Sequence, residues 1–134
     1  MVVLDCSSTI AWAVDEDEGP RVREAIRANG RDGVMVPSVW GLEVANALLQ
    51  SERRGRHTRA DTTRAIEIIN GLSITVDQAD SADAFGRVLD LARGSGLTTY
   101  DAAYLATALR TRLPLATLDR RLAAVARKSG VEVL

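Results

Sequence analysis

Short apolar runs bounded by turn residues alternate along this chain with longer stretches whose apolar positions recur at helical spacing. Val2–Leu4 is apolar throughout and stops at Asp5, the pattern of a strand buried on both faces. Val34-Met35-Val36 before Pro37, Ile74-Thr75-Val76 and Leu115-Ala116-Thr117 read as further strands, and Val131-Glu132-Val133 after Gly130 as a fifth. Helices are predicted over Ser8–Val14, from Pro20 to about Ala28 with a stop at Asn29-Gly30, from an N-cap at Ser38 to about Arg53, and over Arg59–Asn70 up to Gly71. Three more follow: Ser81–Arg93 ended by Gly94-Ser95-Gly96, Asp101–Thr111 ahead of Pro114, and Arg120–Lys128. The acidic run Asp15, Glu16, Asp17, Glu18 precedes Pro20, a favoured first-turn residue. Strands separated by helices predict an α/β fold, a mainly parallel sheet of four to five strands covered on both faces, with right-handed crossovers. In such sheets sites form outside the carboxyl ends of the strands, near a switch in strand order.

Length and composition narrow this picture. The 134 residues are expected to form one domain, 1–134, with no internal repeat or linker. At 46% hydrophobic and 26% charged, the chain is too apolar for intrinsic disorder. No run approaches the ~18 apolar residues of a membrane span, so no membrane role is expected. The start, MVVLDCSST, has no basic segment and reaches an acid at Asp5, which argues against a signal peptide. The lone Cys6 excludes an internal disulfide and a multi-Cys zinc site and points to a reducing, cytoplasmic setting. Net charge is −1, so nucleic-acid binding must use local patches.

The candidate chemistry lies in four acids. Asp5 ends the first strand and Asp119 follows the fourth, so both are expected at one sheet edge; Asp101 opens a helix after a Gly-rich bend and points to the same edge. Each Asp is equally suited to helix capping, and capping and ligation are compatible. On a helix from Ser38 to Arg53, Glu43, Asn46, Gln50 and Arg53 form one narrow polar stripe among apolar or small residues. A helix apolar nearly all round is expected to be buried, with its polar stripe lining a cleft rather than forming an ordinary exposed strip. If the four acids converge, their repulsion and desolvation are relieved by protonation or by a cation. Oxygen donors favour a hard ion such as Mg²⁺ or Mn²⁺, and a carboxylate-bound ion of this kind suits phosphoester hydrolysis.

The segments MVVLDCSSTIAWAV, PSVWGLEVANAL, LTTYDAAYLATAL and LATLDRRL carry these acids in order, and over nearly the whole chain the sequence resembles a PIN-domain ribonuclease, most closely the VapC toxins of toxin–antitoxin pairs. The resemblance implies a PIN-like three-layer α/β/α sandwich, dependence on Mg²⁺ or Mn²⁺, an RNA substrate, a homodimer and a cognate antitoxin. It implies that Asp5, Glu43, Asp101 and Asp119 form the acidic cluster, Asp5 and Asp119 binding metal most directly. It further implies support from Ser7, Asn46 and Thr117, and in-line attack leaving a 5′-phosphate and a 3′-hydroxyl. Some PIN nucleases carry a further acid where Arg121 stands, which leaves a second metal without that ligand.

Arg53, Arg54 and Arg56 head a stretch suited equally to RNA phosphates and to a helix end, with antitoxin binding a third role. Arg112, Arg120 and Arg121 are weaker RNA candidates. Trp12, Trp40, Phe85, Tyr100 and Tyr104 are expected in the core or at an interface, and His57 toward solvent. Cys6 is expected as a small buried residue, with no His placed to activate it. Around Leu48-Leu49 and Ile66–Ile69 apolar surface suits either core packing or a partner. Two other readings stand beside a nuclease: a phosphatase with Asp5 as nucleophile, against which Ser7 stands where a second acid is wanted, and a non-catalytic interaction module whose acids are only caps.

Overall fold

The computed structural model describes residues 1–14, 17, 19–29 and 32–134. The predicted acidic run at Asp15, Glu16 and Glu18 and the stop at Gly30 lie outside the described residues. Four strands, β1 (Val2–Leu4), β2 (Val34–Pro37), β3 (Ile74–Asp77) and β4 (Leu115–Ala116), form one parallel sheet in the order β3-β2-β1-β4. Val3 is opposite both Met35 and Leu115, so β1 is central. Its three residues are fully buried, as its unbroken apolar run requires. The chain builds β1, β2 and β3 to one side and then returns to place β4 on the other. The order therefore switches between β1 and β4, where Asp5 and Thr117 leave the sheet.

Among the described residues seven helices surround this sheet: α1 (Cys6–Val14), α2 (Gly19–Asn29), α3 (Trp40–Arg53), α4 (Arg59–Asn70), α5 (81–95), α6 (Thr99–Thr111) and α7 (Arg120–Lys128). The fold is the expected α/β/α class. The helices pack in two groups: α1 touches α2, α3 and α4, whereas α6 touches α5 and α7 and lies on β1, β2 and β4. None of the described helices is long and apolar enough to cross a membrane.

Local capping chemistry explains the helices whose limits match the expectation. Thr58 and Asp61 form a reciprocal capping box at the start of α4, and Asp119 caps α7. Gly96, at φ 70°, ends α5 in the left-handed conformation glycine tolerates.

Four expectations need correction. The Val131–Val133 segment is not a fifth strand: β4 is only two residues long, so Val133 makes a single bridge to Leu115. Pro37 still belongs to β2, which pushes Ser38 into a turn; Val39 is the α3 N-cap and no side chain caps this end. Nor is α3 buried nearly all round. Trp40, Val44 and Leu48 form its one buried stripe, while Leu42 is 77% exposed and Leu49 is also exposed. Finally, α5 is interrupted: Ala84–Val88 is a π-helical segment between the α-helical Ser81–Asp83 and Leu89–Ser95. The apolar surface proposed around Leu48-Leu49 and Ile66–Ile69 divides, with Leu48 and Ile69 in the core and Leu49, Ile66 and Ile68 exposed.

Candidate functional site

Asp5 emerges from the buried end of β1 and is itself only 4% exposed. Its carboxylate is held from three directions. The Ser7 hydroxyl donates at 2.8–2.9 Å, the Ser8 amide at 2.8 Å and the Thr117 hydroxyl at 2.6 Å. Thr117 lies 112 positions away in sequence and reaches Asp5 because β4 pairs directly with β1. The same Thr117 oxygen accepts from the Asp119 amide at 3.0 Å, and the Leu118 amide donates to Ser7 at 3.0 Å. Burial raises the Asp5 pKa above the ordinary carboxylate value, with the hydrogen bonds from Thr117, Ser8 and Ser7 opposing part of that rise.

Glu43 reaches the site because the first turn of α3 is fixed. Trp40 Nε1 donates at 2.9 Å to Thr9 Oγ1, and Thr9 donates at 2.7 Å to the Asp5 carbonyl. This chain ties α3 to the residue that carries the buried carboxylate. Half-buried Glu43 accepts a 2.5 Å hydrogen bond from the Tyr104 hydroxyl. Its pKa is raised by burial, with the charges of Asp101 and Asp5 adding to the rise and the Tyr104 hydrogen bond opposing it. Glu43 is therefore in electrostatic reach of both Asp101 and Asp5. Cys6 lies beside them, and burial together with Glu43 and Asp5 pushes its thiol up to about 12, too high for a nucleophile.

Asp119 is a helix cap in this structure, and Asp101 sits in the first turn of a helix capped by its neighbour. Thr98 caps α6 and donates to Asp101 Oδ2 at 2.9 Å; Asp119 Oδ1 accepts from the Leu122 amide at 2.8 Å. Each keeps one carboxylate oxygen, Oδ1 of Asp101 and Oδ2 of Asp119, with no protein donor among the described residues. Asp119 is exposed and is linked to Asp5 through Thr117 rather than touching it. Among the described residues no three His, Cys, Asp or Glu side chains are drawn into a tight ligand set. The donor chemistry nevertheless fits a hard divalent cation. It is all oxygen, two of its carboxylates are raised by burial, and no Arg or Lys pairs with any of the four acids among the described residues.

The supporting residues divide. Ser7 and Thr117 hold Asp5, but Asn46 is exposed one turn beyond Glu43 and bonds to none of these acids. Arg53, Arg54 and Arg56 stand at the far end of α3, roughly 15 Å along its axis from Glu43. A cavity of about 420 Å³ lined by residues including Pro37, Val39, Phe85, Val88 and Tyr100 contains none of the four acids. His57 hydrogen-bonds Ser51 at 2.5 Å in the α3–α4 connection, away from the acids' end of α3.

Tyr104 is the site residue that sequence reasoning assigned to the core or an interface. It is indeed 1% exposed, yet its hydroxyl is turned onto Glu43. The available signal was its position three residues after Asp101, which puts both on one face of α6. Tyr104→Phe is expected to keep the fold and free Glu43 from its tether. In RNA cleavage assays kcat should fall about tenfold with little change in KM. Equal losses in kcat and thermal stability would reduce Tyr104 to a packing residue.

The chain is similar to known proteins over almost its whole length. The model of the PIN domain family matches residues 2–128. The VapC ribonuclease Mb0985 of Mycobacterium bovis is 28% identical over 122 residues, covering 91% of this chain and 88% of that protein. Ribonuclease VapC3 of Pyrobaculum aerophilum is 29% identical over 122 residues, 91% and 92% of the two chains. Among solved structures, PAE2754 from Pyrobaculum aerophilum superposes with a TM-score of 0.72 at 26% identity, over 98% of this chain and 82% of that one. FitAcB from Neisseria gonorrhoeae shares the fold, with a TM-score of 0.62 at 19% identity over 100% and 96%.

Proposed function

The chain belongs to the PIN-domain family, and from that premise we propose that it is a divalent-metal-dependent endoribonuclease, the toxin of a toxin–antitoxin pair. The relatives named VapC ribonuclease and Ribonuclease VapC3 support the activity. The observation that carries it to this chain is the buried, unneutralised Asp5 at the strand-order switch, with Glu43 in electrostatic reach of both Asp5 and Asp101.

In this reading Asp5, Asp101, Asp119 and Glu43 would hold Mg²⁺ or Mn²⁺. The bound ion would polarise the scissile phosphate and offset the charge that develops on it. Ser7, Thr117 and the Ser8 amide keep Asp5 in one orientation. Glu43, held by Tyr104, positions the attacking water and takes its proton; the raised pKa of Glu43 brings it closer to the range a general base needs. The water oxygen bonds to phosphorus as the bond to the 3′-oxygen breaks, leaving a 5′-phosphate and a 3′-hydroxyl. Asn46 would face substrate, and Arg53, Arg54 and Arg56 would meet only RNA that extends along α3.

The biological setting follows the same proposal: a cytoplasmic protein, silenced by an antitoxin and paired as a homodimer. Exposed Phe85 and Tyr100 offer apolar area that a second copy would cover. The direct test is cleavage of a labelled RNA with Mg²⁺ or Mn²⁺, repeated with EDTA. Cleavage should vanish with EDTA and return with added metal. Cleavage that survives both EDTA and Glu43→Gln contradicts the proposal.

A further inference from the structure

A second cavity, of about 380 Å³, is lined by none of the four acids but shares Thr117 with their site. Thr117 and Leu118 form one wall, and Arg21, Arg120 and Arg127 line it with Ala123 and Leu134. The placement follows from the fold. Arg120, Ala123 and Arg127 share one face of α7, where the short Ala123 leaves space between the two long side chains. Helix α2 packs near β4 and brings Arg21 to the same opening. Arg120 and Arg127 have no carboxylate partner among the described residues. Both guanidinium groups line the cavity with no ion pair among the described residues.

Thr117 joins the two sites. It lines the arginine cavity, and its hydroxyl is bonded to Asp5. A polyanionic strand whose reacting phosphate lies at Asp5 and that runs toward Thr117 brings a neighbouring phosphate to this wall. Guanidinium groups suit phosphate oxygens, which they can grip with two parallel hydrogen bonds. We propose that this cavity is a second phosphate subsite, in which Arg120 and Arg127 hold the backbone phosphate adjoining the one cleaved. The assignment rests on the ribonuclease reading, and it sets the register of RNA on the enzyme. An acidic peptide would also be attracted to this charge, but the Thr117 link to Asp5 favours a strand that occupies both places.

The test uses the full chain, with a double variant Arg120→Gln/Arg127→Gln and a charge-matched control, Arg87→Gln/Arg93→Gln. Affinity for a fluorescent single-stranded oligoribonucleotide is measured in EDTA across a salt series. The double variant should bind about tenfold more weakly, and the slope of log affinity against log salt should shrink by about 1.4, roughly 0.7 for each lost contact. The control should match wild type. Single uncharged methylphosphonates are then placed at each linkage in turn. One position should weaken wild type and leave the double variant unaffected, the signature of a direct pair. An unchanged salt slope, or methylphosphonate effects that are identical in both proteins, overturns the subsite. So does loss of poly-glutamate binding with RNA binding intact. Cleavage by wild type with Mn²⁺ is scored in parallel. Cleavage without the binding difference sinks only the subsite. The binding difference without cleavage sinks the nuclease reading and keeps the subsite.

Discussion

Asp5→Asn is expected to lower RNA cleavage by at least about 100-fold while raising the melting temperature of the metal-free protein. Both effects have one cause. Asp5 is buried with donors around it but no cation, so burial raises its pKa. A carboxylate with a raised folded-state pKa favours the native state most below its unfolded value, 3.8, and that contribution is lost as pH rises through the folded pKa. Above the unfolded value the metal-free native state therefore loses stability relative to a variant without the titrating group. Asparagine keeps the shape and removes the charge, and the Ser7 and Thr117 hydroxyls can reverse to accept from its amide. Thermal melts of both proteins across pH 4 to 8 in EDTA check this. The wild-type curve should fall relative to the variant as pH rises. A variant less stable than wild type at neutral pH would show that Asp5 is a structural hydrogen-bond hub.

Asp77→Ala should act in the opposite sense. Asp77 is a second buried acid, at the end of β3, and here the fold supplies partners. Arg110 forms an ion pair with Asp77, and the buried Thr107 hydroxyl donates to it at 2.7 Å. Removing the carboxylate strands a buried hydroxyl and unpairs an arginine whose exposure lets water recover part of the loss. A cost of about 2–3 kcal/mol follows, equivalent to a melting temperature lower by roughly 8 °C. Calorimetry measures it. Cleavage at low temperature should stay near wild type, because Asp77 belongs to the packing of α6 on the sheet. A melting temperature within a degree or two of wild type would contradict the pairing.

The contrast between these two acids explains what the sequence made legible. Asp5 was visible because it ends an unbroken apolar run, and Asp119 and Asp101 because each stands at a helix start. Arg59–Asn70 and Arg120–Lys128 were legible to the residue because Thr58 and Asp119 are local caps. Local pattern carries no record of long-range pairing. The Tyr104–Glu43, Trp40–Thr9 and Thr107–Asp77 hydrogen bonds join residues 61, 31 and 30 positions apart, and each became visible only when the sheet brought its elements together. Asp77 carried no local signal for this reason. The burial of α3 was overestimated because its apolar residues exceed what one contact face can cover. Leu42 and Leu49 remain outside, although their composition matches that of Val44 and Leu48.

The central claim is that the acids at the β1–β4 switch hold an excess of negative charge that a divalent cation neutralises. Melting temperature against Mg²⁺ and then Mn²⁺, for wild type and Asp5→Asn at neutral pH, tests it most directly. Wild type should start lower and rise with ion concentration, as a native-state ligand requires, while Asp5→Asn starts higher and responds weakly. Parallel rises in the two proteins, or a wild-type melting temperature indifferent to both ions, would contradict the claim.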